Sequence, residues 1–164
     1  MAELTNLESK LAEVLGLAMA AQVATKKVMG LLEDDPHSLG KTLEQMREEA
    51  AETEERCTAV AGSFDGKKTA ILDQARETQS EAAEMMGVYL GEDSDALDGF
   101  EFLTMAEAGE VGHWSIVKKF TERAENPEVE QLAAWALAIQ QRHYDNTLEG
   151  SLQLAADENP DDPA

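Results

Sequence analysis

Residues 103–147, LTMAEAGEVGHWSIVKKFTERAENPEVEQLAAWALAIQQRHYDNT, predict two amphipathic helices joined by a short break. Apolar residues return every three or four positions on both sides of Asn126-Pro127, which is the period of a helix with one buried face. Pro127 suits the first turn of the second helix, where its missing N–H is not needed. Since helices joined by a short break pack antiparallel, this stretch predicts a helical hairpin.

Polar side chains interrupt the apolar face of each helix in this hairpin. At about 100° per residue, the inner face of the first helix comprises Leu103, Ala106, Glu110, His113, Val117, Phe120 and Ala124. That of the second comprises Val129, Leu132, Ala133, Ala136, Gln140, His143, Thr147, Ser151 and Leu154. Each face holds two polar residues spaced i, i+3, namely Glu110 and His113 on the first helix and Gln140 and His143 on the second. The two pairs lie at similar distances from the break. They are expected to meet roughly 20 Å from the turn.

These four polar residues form a candidate metal site. Imidazole and carboxylate groups on adjacent helical turns can share one metal ion, and di-iron carboxylate bundles use Glu-x-x-His pairs in this way. The convergence of Glu110, His113, Gln140 and His143 therefore predicts a metal site, and a buried hydrogen-bonded cluster without metal is the alternative. Because Glu110 is the one carboxylate among them and two ferrous ions need about four, we expect one ion or none.

Three further helical segments precede the hairpin, which itself spans about 99–125 and 127–156. They cover about 4–32, 38–61 and 67–90, with Ser38 as a candidate cap and Pro36 as the end of the first. The first two are expected to form another hairpin and the third to cross between the hairpins. Its apolar stripe is Ile71, Leu72, Ala75, Ala82, Met86 and Tyr89. Residues 1–156 are expected to form one domain and 157–164 an acidic disordered tail.

The first hairpin is expected to contribute less to the site. Gln22 lies on the inner face of its first helix, and Thr53 and Cys57 lie on the inner face of its second. The glutamates at 49, 52, 54 and 55 lie beside or away from that face, which predicts a solvated surface. Cys57 is the only cysteine, so no intrachain disulfide exists, as is usual in a reducing compartment.

The net charge of −21, from 34 acidic and 13 basic residues, excludes several partners. A surface of this sign repels nucleic-acid phosphates and anionic lipid. No apolar run approaches the roughly 18 residues of a membrane span, and the N-terminus lacks the features of a signal peptide. We therefore expect a cytoplasmic protein without nucleic-acid or membrane partners. The acidity fits a halophile, where salt screens the repulsion, or an ordinary acidic protein.

Two stretches resemble the YciE/YciF-type ferritin-like family. Residues 52–64, ETEERCTAVAGSF, are similar to the Glu-Thr helix of that family, and residues 111–116, VGHWSI, to its Val-Glu-His-Tyr-Glu-Ile motif. Glu52 and His113 match these motifs. The resemblance implies an all-α fold, namely a ferritin-like antiparallel four-helix bundle with an additional crossover helix, five helices in total. It also implies a dimer that is linked to stress responses.

The chain departs from the family pattern at three positions. Gly112 and Ser115 stand where the family tends to have glutamate, and Glu49 stands where it often has histidine. The resemblance therefore implies a partly degenerate ligand set.

The sequence thus favours a ferritin-like stress-associated protein with a partly degenerate metal site. The candidate ligands are Glu110, His113, Gln140 and His143, with Gln22 and Glu52 as the next nearest polar residues. A bound metal would be iron or manganese, for redox chemistry with oxygen or peroxide. The alternative is a non-enzymatic helical binding or assembly module that has lost the metal. An iron-storage cage is disfavoured, because no entry or nucleation motif accompanies the acidity.

Overall fold

Residues 2–163 are described by a computed structural model, in which they form five α-helices and no β-strand. The helices are α1 (Asn6–Met29), α2 (Leu39–Ala61), α3 (Lys68–Tyr89), α4 (Ala96–Ala124) and α5 (Pro127–Asp157). This confirms the predicted all-α class and the number of helices. None of the helices in this range is long and apolar enough to cross a membrane.

The end of the chain beyond α5 is short. Within the predicted tail, residues 159–162 make a turn in which the N–H of Asp162 donates to the carbonyl of Asn159 at 3.1 Å. The end residues of the predicted domain and tail, Met1 and Ala164, lie outside the described residues. The predicted disorder of this segment remains a prediction.

Local hydrogen bonds set the ends of α1. The Thr5 hydroxyl accepts the N–H of Glu8, and the Glu8 carboxylate accepts the N–H of Thr5 in return, which is a capping box. At the other end the helix stops at Met29, well before Pro36. The N–H of Leu31 donates to the carbonyl of Val28, an i→i−3 bond that tightens the last turn. The prediction that Pro36 terminates the helix is therefore wrong.

The start of α2 also differs from its prediction. Ser38 precedes the helix with a positive φ of 57° and makes no capping bond with its side chain. Instead, the Asp35 carboxylate accepts the N–H groups of Leu39 and Gly40, at 2.6 and 2.8 Å. Asp35 thus satisfies the free donors at the start of the helix, as an acidic cap should.

The second hairpin is capped as its sequence suggests. Asp95 and Asp98 form a capping box at the start of α4, three residues earlier than the predicted start at Gly99. Asn126 caps α5 by accepting the N–H of Val129 at 3.1 Å, and Pro127 occupies the first turn. The predicted break between the two helices is confirmed.

Side-chain contacts fix the direction of α3. Its Gln74 donates to the Ser9 hydroxyl near the start of α1, and Lys27 near the end of α1 donates to the carbonyl of Leu90, just past α3. The two helices therefore run parallel. Gly99 at the start of α4 packs on the end of α1, so that α4 runs the opposite way. α1 contacts α2, α3 and α4, whereas α5 contacts α4 and α2.

Two apolar clusters fill the interior. One lies at the end where α4 turns into α5, and includes Leu11, Leu15, Cys57, Ile71, Trp114, Val117, Val129 and Ala133. The other lies at the end where α1 turns into α2, and includes Val28, Leu39, Leu43, Met46, Phe100 and Leu103. In α2, α4 and α5 most of the buried polar residues fall between these two groups along the chain, with Thr121 as an exception near the end of α4. The apolar core is thus divided near mid-length by polar side chains.

Candidate functional site

A buried polar layer, which we define as Glu49, Glu107, Glu110, Gln140 and His143, separates the two apolar clusters. Seven of the nine buried positions of α4 alternate by three and four residues, and Gly99 and Phe102 are the other two. The seven are Phe100, Leu103, Glu107, Glu110, Trp114, Val117 and Thr121. This is the heptad pattern of a helix whose inner face stays directed at its partner. It brings two carboxyl groups, Glu107 and Glu110, into the interior on adjacent turns.

The predicted inner face of α4 was therefore right at Leu103, Glu110 and Val117 and wrong by one residue at the positions between and after them. Trp114 rather than His113 is fully buried, and Glu107 rather than Ala106 lies in the core. On α5 the structure buries Gln140 and His143, as predicted. The amide of Gln140 donates to Oε2 of Glu110, and Nδ1 of His143 lies 3.5 Å from Oε2 of Glu107. Two polar pairs do face each other across the hairpin, Glu110 with Gln140 and Glu107 with His143, whereas the prediction set His113 level with Gln140 and Glu110 level with His143.

Glu49 of α2 completes the layer from the other hairpin. Its Oε2 atom lies 2.6 Å from Nε2 of His143, while its Oε1 atom accepts from Arg142 at 2.7 Å and from Gln45 at 3.0 Å. Although partial burial opposes ionisation, the donors from Gln45 and His143 and the charge of Arg142 lower the pKa of Glu49. Glu49 is thus held as a carboxylate, and it is not the solvated residue that the sequence suggested.

The protonation states of His143 and Glu110 follow from their neighbours. Burial alone would lower the pKa of His143, but contacts with Glu107 and Glu49 outweigh it and raise that pKa. Burial, followed by the adjacent charge of Glu107, raises the pKa of Glu110 well above its usual range. These directions favour the cationic form of the His143 imidazole between its two carboxyl groups and the neutral form of Glu110 beside them.

One atom of the layer lacks a hydrogen-bond partner. Oε2 of Glu107 is buried and accepts no hydrogen bond, since its 3.5 Å contact with His143 is an ion pair too long for one. Glu107 as a whole is 2% exposed. A buried acceptor without a donor is costly and is often explained by a bound ion or water.

Three predicted site residues lie outside the polar layer. His113 is directed towards α1, where its Nδ1 atom lies 3.2 Å from Oε2 of Glu13. Glu52 is exposed and pairs with Arg56 at 2.6 Å. The prediction that His113 converges with His143 is wrong. The residue after His113 is the buried one, and successive residues lie about 100° apart around a helix, so the side chain of His113 is directed elsewhere.

The third of these residues, Gln22, is partly buried and makes its hydrogen bonds outside the polar layer. Its amide donates to Oε2 of Glu54 at 2.5 Å and to the carbonyl of Ala18 at 3.3 Å. Nearby, Cys57 is fully buried, and burial together with the charges of Glu110 and Glu54 raises the pKa of its thiol. A thiol of this kind is an inert core residue.

The donor set of the polar layer suits one hard or borderline divalent cation. Carboxylates and imidazole are the ligands that iron and manganese use in proteins. Within residues 2–163, however, no three His, Cys, Asp or Glu side chains stand in an arrangement ready to hold a metal ion. In this structure the side chains bond to one another, with Glu49 on His143 and Gln140 on Glu110.

Comparison with protein-family models gives no match, and the curated proteins and solved structures give no significant match. The likeness to the YciE/YciF-type family therefore rests on the two stretches quoted above.

Proposed function

We propose that the chain is a ferritin-like protein, in which α1, α2, α4 and α5 form an antiparallel four-helix bundle and α3 is the crossover. The contacts of α1 with α2 and α4, and of α5 with α4 and α2, would close a ring of four helices. The parallel direction of α1 and α3 supports a crossover that returns the chain to the opposite end. Ferritin-like bundles have one long connection of this kind.

The proposed function is binding of one divalent iron or manganese ion in the polar layer. The observation that carries this proposal is the burial of two carboxyl groups and an imidazole, with the partly buried Glu49 beside them, around an oxygen that accepts no hydrogen bond, Oε2 of Glu107. Glu49, Glu107, Glu110 and His143 would be the ligands. Three carboxylates more than neutralise one divalent ion, whereas two such ions would leave excess positive charge. A bound iron or manganese would supply redox chemistry with oxygen or peroxide.

The protein's own contribution would be to position the ligands and to exclude water. Glu107 and Glu110 project from adjacent turns of one helix, and apolar clusters lie on both sides of the layer. Arg142 and Gln45 hold the Glu49 carboxylate by its second oxygen, which is the kind of outer contact that orients a ligand. Metal binding would also require His143 and Glu110 to lose their protons.

The alternative is a non-enzymatic helical module in which the layer is a structural polar cluster. It is favoured by one observation: both nitrogens of His143 face carboxyl groups, and Gln140 already bonds to Glu110. A buried polar cluster of this kind can fix the register of packed helices.

Elemental analysis distinguishes metal binding from a purely structural role of the polar layer. Protein purified without chelator is dialysed against Mn²⁺, or against Fe²⁺ without oxygen, and the bound metal is counted. We expect one ion per chain in the natural protein. Glu107→Gln, which keeps the shape of the side chain but removes its charge, should abolish binding.

His113→Gln is the matched control, because it removes an imidazole from the same helix without altering the polar layer. It should leave the metal content unchanged. Absence of metal from the natural protein under both conditions would reject the metal proposal in favour of the structural cluster.

The stress association and the dimer are proposed on the resemblance alone. Sedimentation velocity over a range of protein concentrations should give the mass of two chains, and a mass of one chain at every concentration would exclude the dimer.

A further inference from the structure

The second half of α3 stands away from the rest of the molecule. Its buried residues are Ala70, Ile71 and Ala75, all in the first two turns. The predicted stripe continued through Ala82, Met86 and Tyr89, but none of these three is buried. The apolar face of this half of α3 is thus only partly covered, with Met86 packed against the second apolar cluster.

This separation leaves a cleft of about 910 Å³ between α1, α3 and α4. Four of the eight large apolar side chains that are exposed among the described residues line it, namely Val23, Met85, Tyr89 and Met105, each at least 41% exposed. The rings of Tyr89 and Phe102 approach to 6.0 Å between centroids across α3 and α4. The volume is that of a small-molecule site, and a concentration of exposed apolar surface commonly marks a binding site.

The charges at the α3 rim of the cleft that have no ion-pair partner are negative. Glu77 and Glu81 lie four residues apart on α3, both line the cleft, and neither forms an ion pair with any described residue. Like charges at this spacing repel each other on a helix. The arginine that lines the cleft, Arg76, is paired with Asp73 at 2.7 Å. The rim therefore offers two free carboxylates to a cation.

We propose that this cleft binds a small amphiphile with a cationic amine head, which would lie beside Glu77 and Glu81 while its apolar chain occupies the space between α1, α3 and α4. The acidic rim repels a fatty acid or an anionic lipid. A second copy of this chain, with its net charge of −21, offers no excess of cationic groups to Glu77 and Glu81 at this cleft. Glu107 and Glu110 of the polar layer also line this cleft. The proposal goes beyond the metal function and does not depend on it, because the amine head is placed at Glu77 and Glu81 on α3, which do not belong to the polar layer.

Gly109 of α4 offers a way to fill the cleft without disturbing the fold. It lines the cleft, and a Cβ atom added to it would meet no heavy atom within 4 Å. Gly112 on the same helix is equally free of neighbours but does not line the cleft. Gly109→Leu and Gly112→Leu therefore form a matched pair, which differs in whether the new side chain enters the cleft.

The test measures binding of decylamine, decanol and decanoate, which have chains of equal length, by calorimetry below their micellar concentrations. We expect one decylamine per chain, weaker binding of decanol and no binding of decanoate. Gly109→Leu should weaken decylamine binding at least tenfold, whereas Gly112→Leu should not change it. Equal binding by the two variants, or binding of decanoate as tight as that of decylamine, would overturn the proposal.

A second pair of variants tests the head group. Glu77→Gln with Glu81→Gln should weaken decylamine binding but not decanol binding. Glu84→Gln with Glu92→Gln removes the same charge from residues outside the cleft and should leave both unchanged. An equal loss in the two double variants would mean that only the net charge attracts the amine. Self-association that Gly109→Leu abolishes would assign the cleft to a second copy of the chain, and would also overturn the proposal.

Discussion

The Nε2 atom of His143 on α5 lies 2.6 Å from the Oε2 atom of Glu49 on α2, so that one ion pair joins the two hairpins inside the molecule. α2 and α5 otherwise share a small contact surface. The other ring nitrogen of His143 faces Glu107 of α4 at 3.5 Å. A single imidazole thus links three helices at the height of the polar layer. Its removal leaves Glu107 without its cation and Glu49 with Arg142 alone.

The first prediction concerns this link. His143→Ala should lower the free energy of unfolding by about 1–3 kcal/mol, because its buried partners lose a donor. His113→Ala is the control: its partner Glu13 is partly exposed, so that the loss should stay below about 1 kcal/mol. Urea denaturation of both variants measures the difference. Equal losses would show that the buried link contributes no more than an ion pair at the surface.

The second prediction concerns the pH range of this stabilisation. The pKa of His143 is raised, so its contribution is fully present below the ordinary imidazole pKa and is lost as pH rises through the raised value. The pKa of Glu49 is lowered, so its contribution is fully present above the ordinary carboxyl pKa and is lost as pH falls through the lowered value. The destabilisation by His143→Ala should therefore be largest between about pH 4.5 and 6.5. A destabilisation that is constant from pH 4 to pH 9 would contradict this.

The third prediction concerns Glu110, whose pKa is raised by burial and by the charge of Glu107. A raised pKa in the folded state means that stability falls as pH rises above the ordinary carboxyl range. Glu110→Gln removes the ionisable group and retains an oxygen that can accept from Gln140. The metal-free variant should therefore melt at a higher temperature than the natural protein at pH 8, with little difference at pH 4. A lower melting temperature at pH 8 would indicate that Glu110 is ionised and paired in the folded protein.

Much of the fold was accessible from sequence, since helix periods and breaks are local properties. The residues that make up the polar layer were harder to predict. An error of one residue in assigning the buried face of a helix changes the direction of a side chain by about 100°. The spacing of Phe100, Leu103, Trp114 and Val117 leads directly to positions 107 and 110, which was a usable signal for Glu107. The spacing of apolar residues gave no such indication for Glu49. It lies beside the apolar face, and its side chain is long enough to reach His143 from there.

The sequence also did not show which element packs against the apolar face of α3. The stripe of α3 predicted burial along its whole length, but its second half faces an open cleft. The periodicity of a sequence shows that one face of a helix is apolar, but it does not identify the element that packs against that face.

The fourth prediction concerns salt. With 34 acidic and 13 basic residues, the surface carries unpaired carboxylates such as Glu77 and Glu81, whose mutual repulsion opposes the compact state. Molar salt shortens the range of this repulsion to roughly 3 Å. The melting temperature should rise steeply between low and molar potassium chloride if the acidity is a halophilic adaptation. A flat response would favour an ordinary acidic protein.

The fifth prediction tests the packing of α3 on α1 through Gly16. A Cβ atom at Gly16 would collide with the carbonyl oxygen of Ala75 and with Cβ of Thr78, so that the two helices would have to separate. Gly16→Ala should therefore destabilise the protein by about 1–3 kcal/mol, although alanine is the better helix former by about 1 kcal/mol. Gly87→Ala on α3 is the matched control, since nothing lies within 4 Å of its added Cβ. It should stabilise the protein by about 0.5–1 kcal/mol. Urea denaturation should thus give changes of opposite sign, and stabilisation by both substitutions would mean that α1 and α3 do not pack this closely.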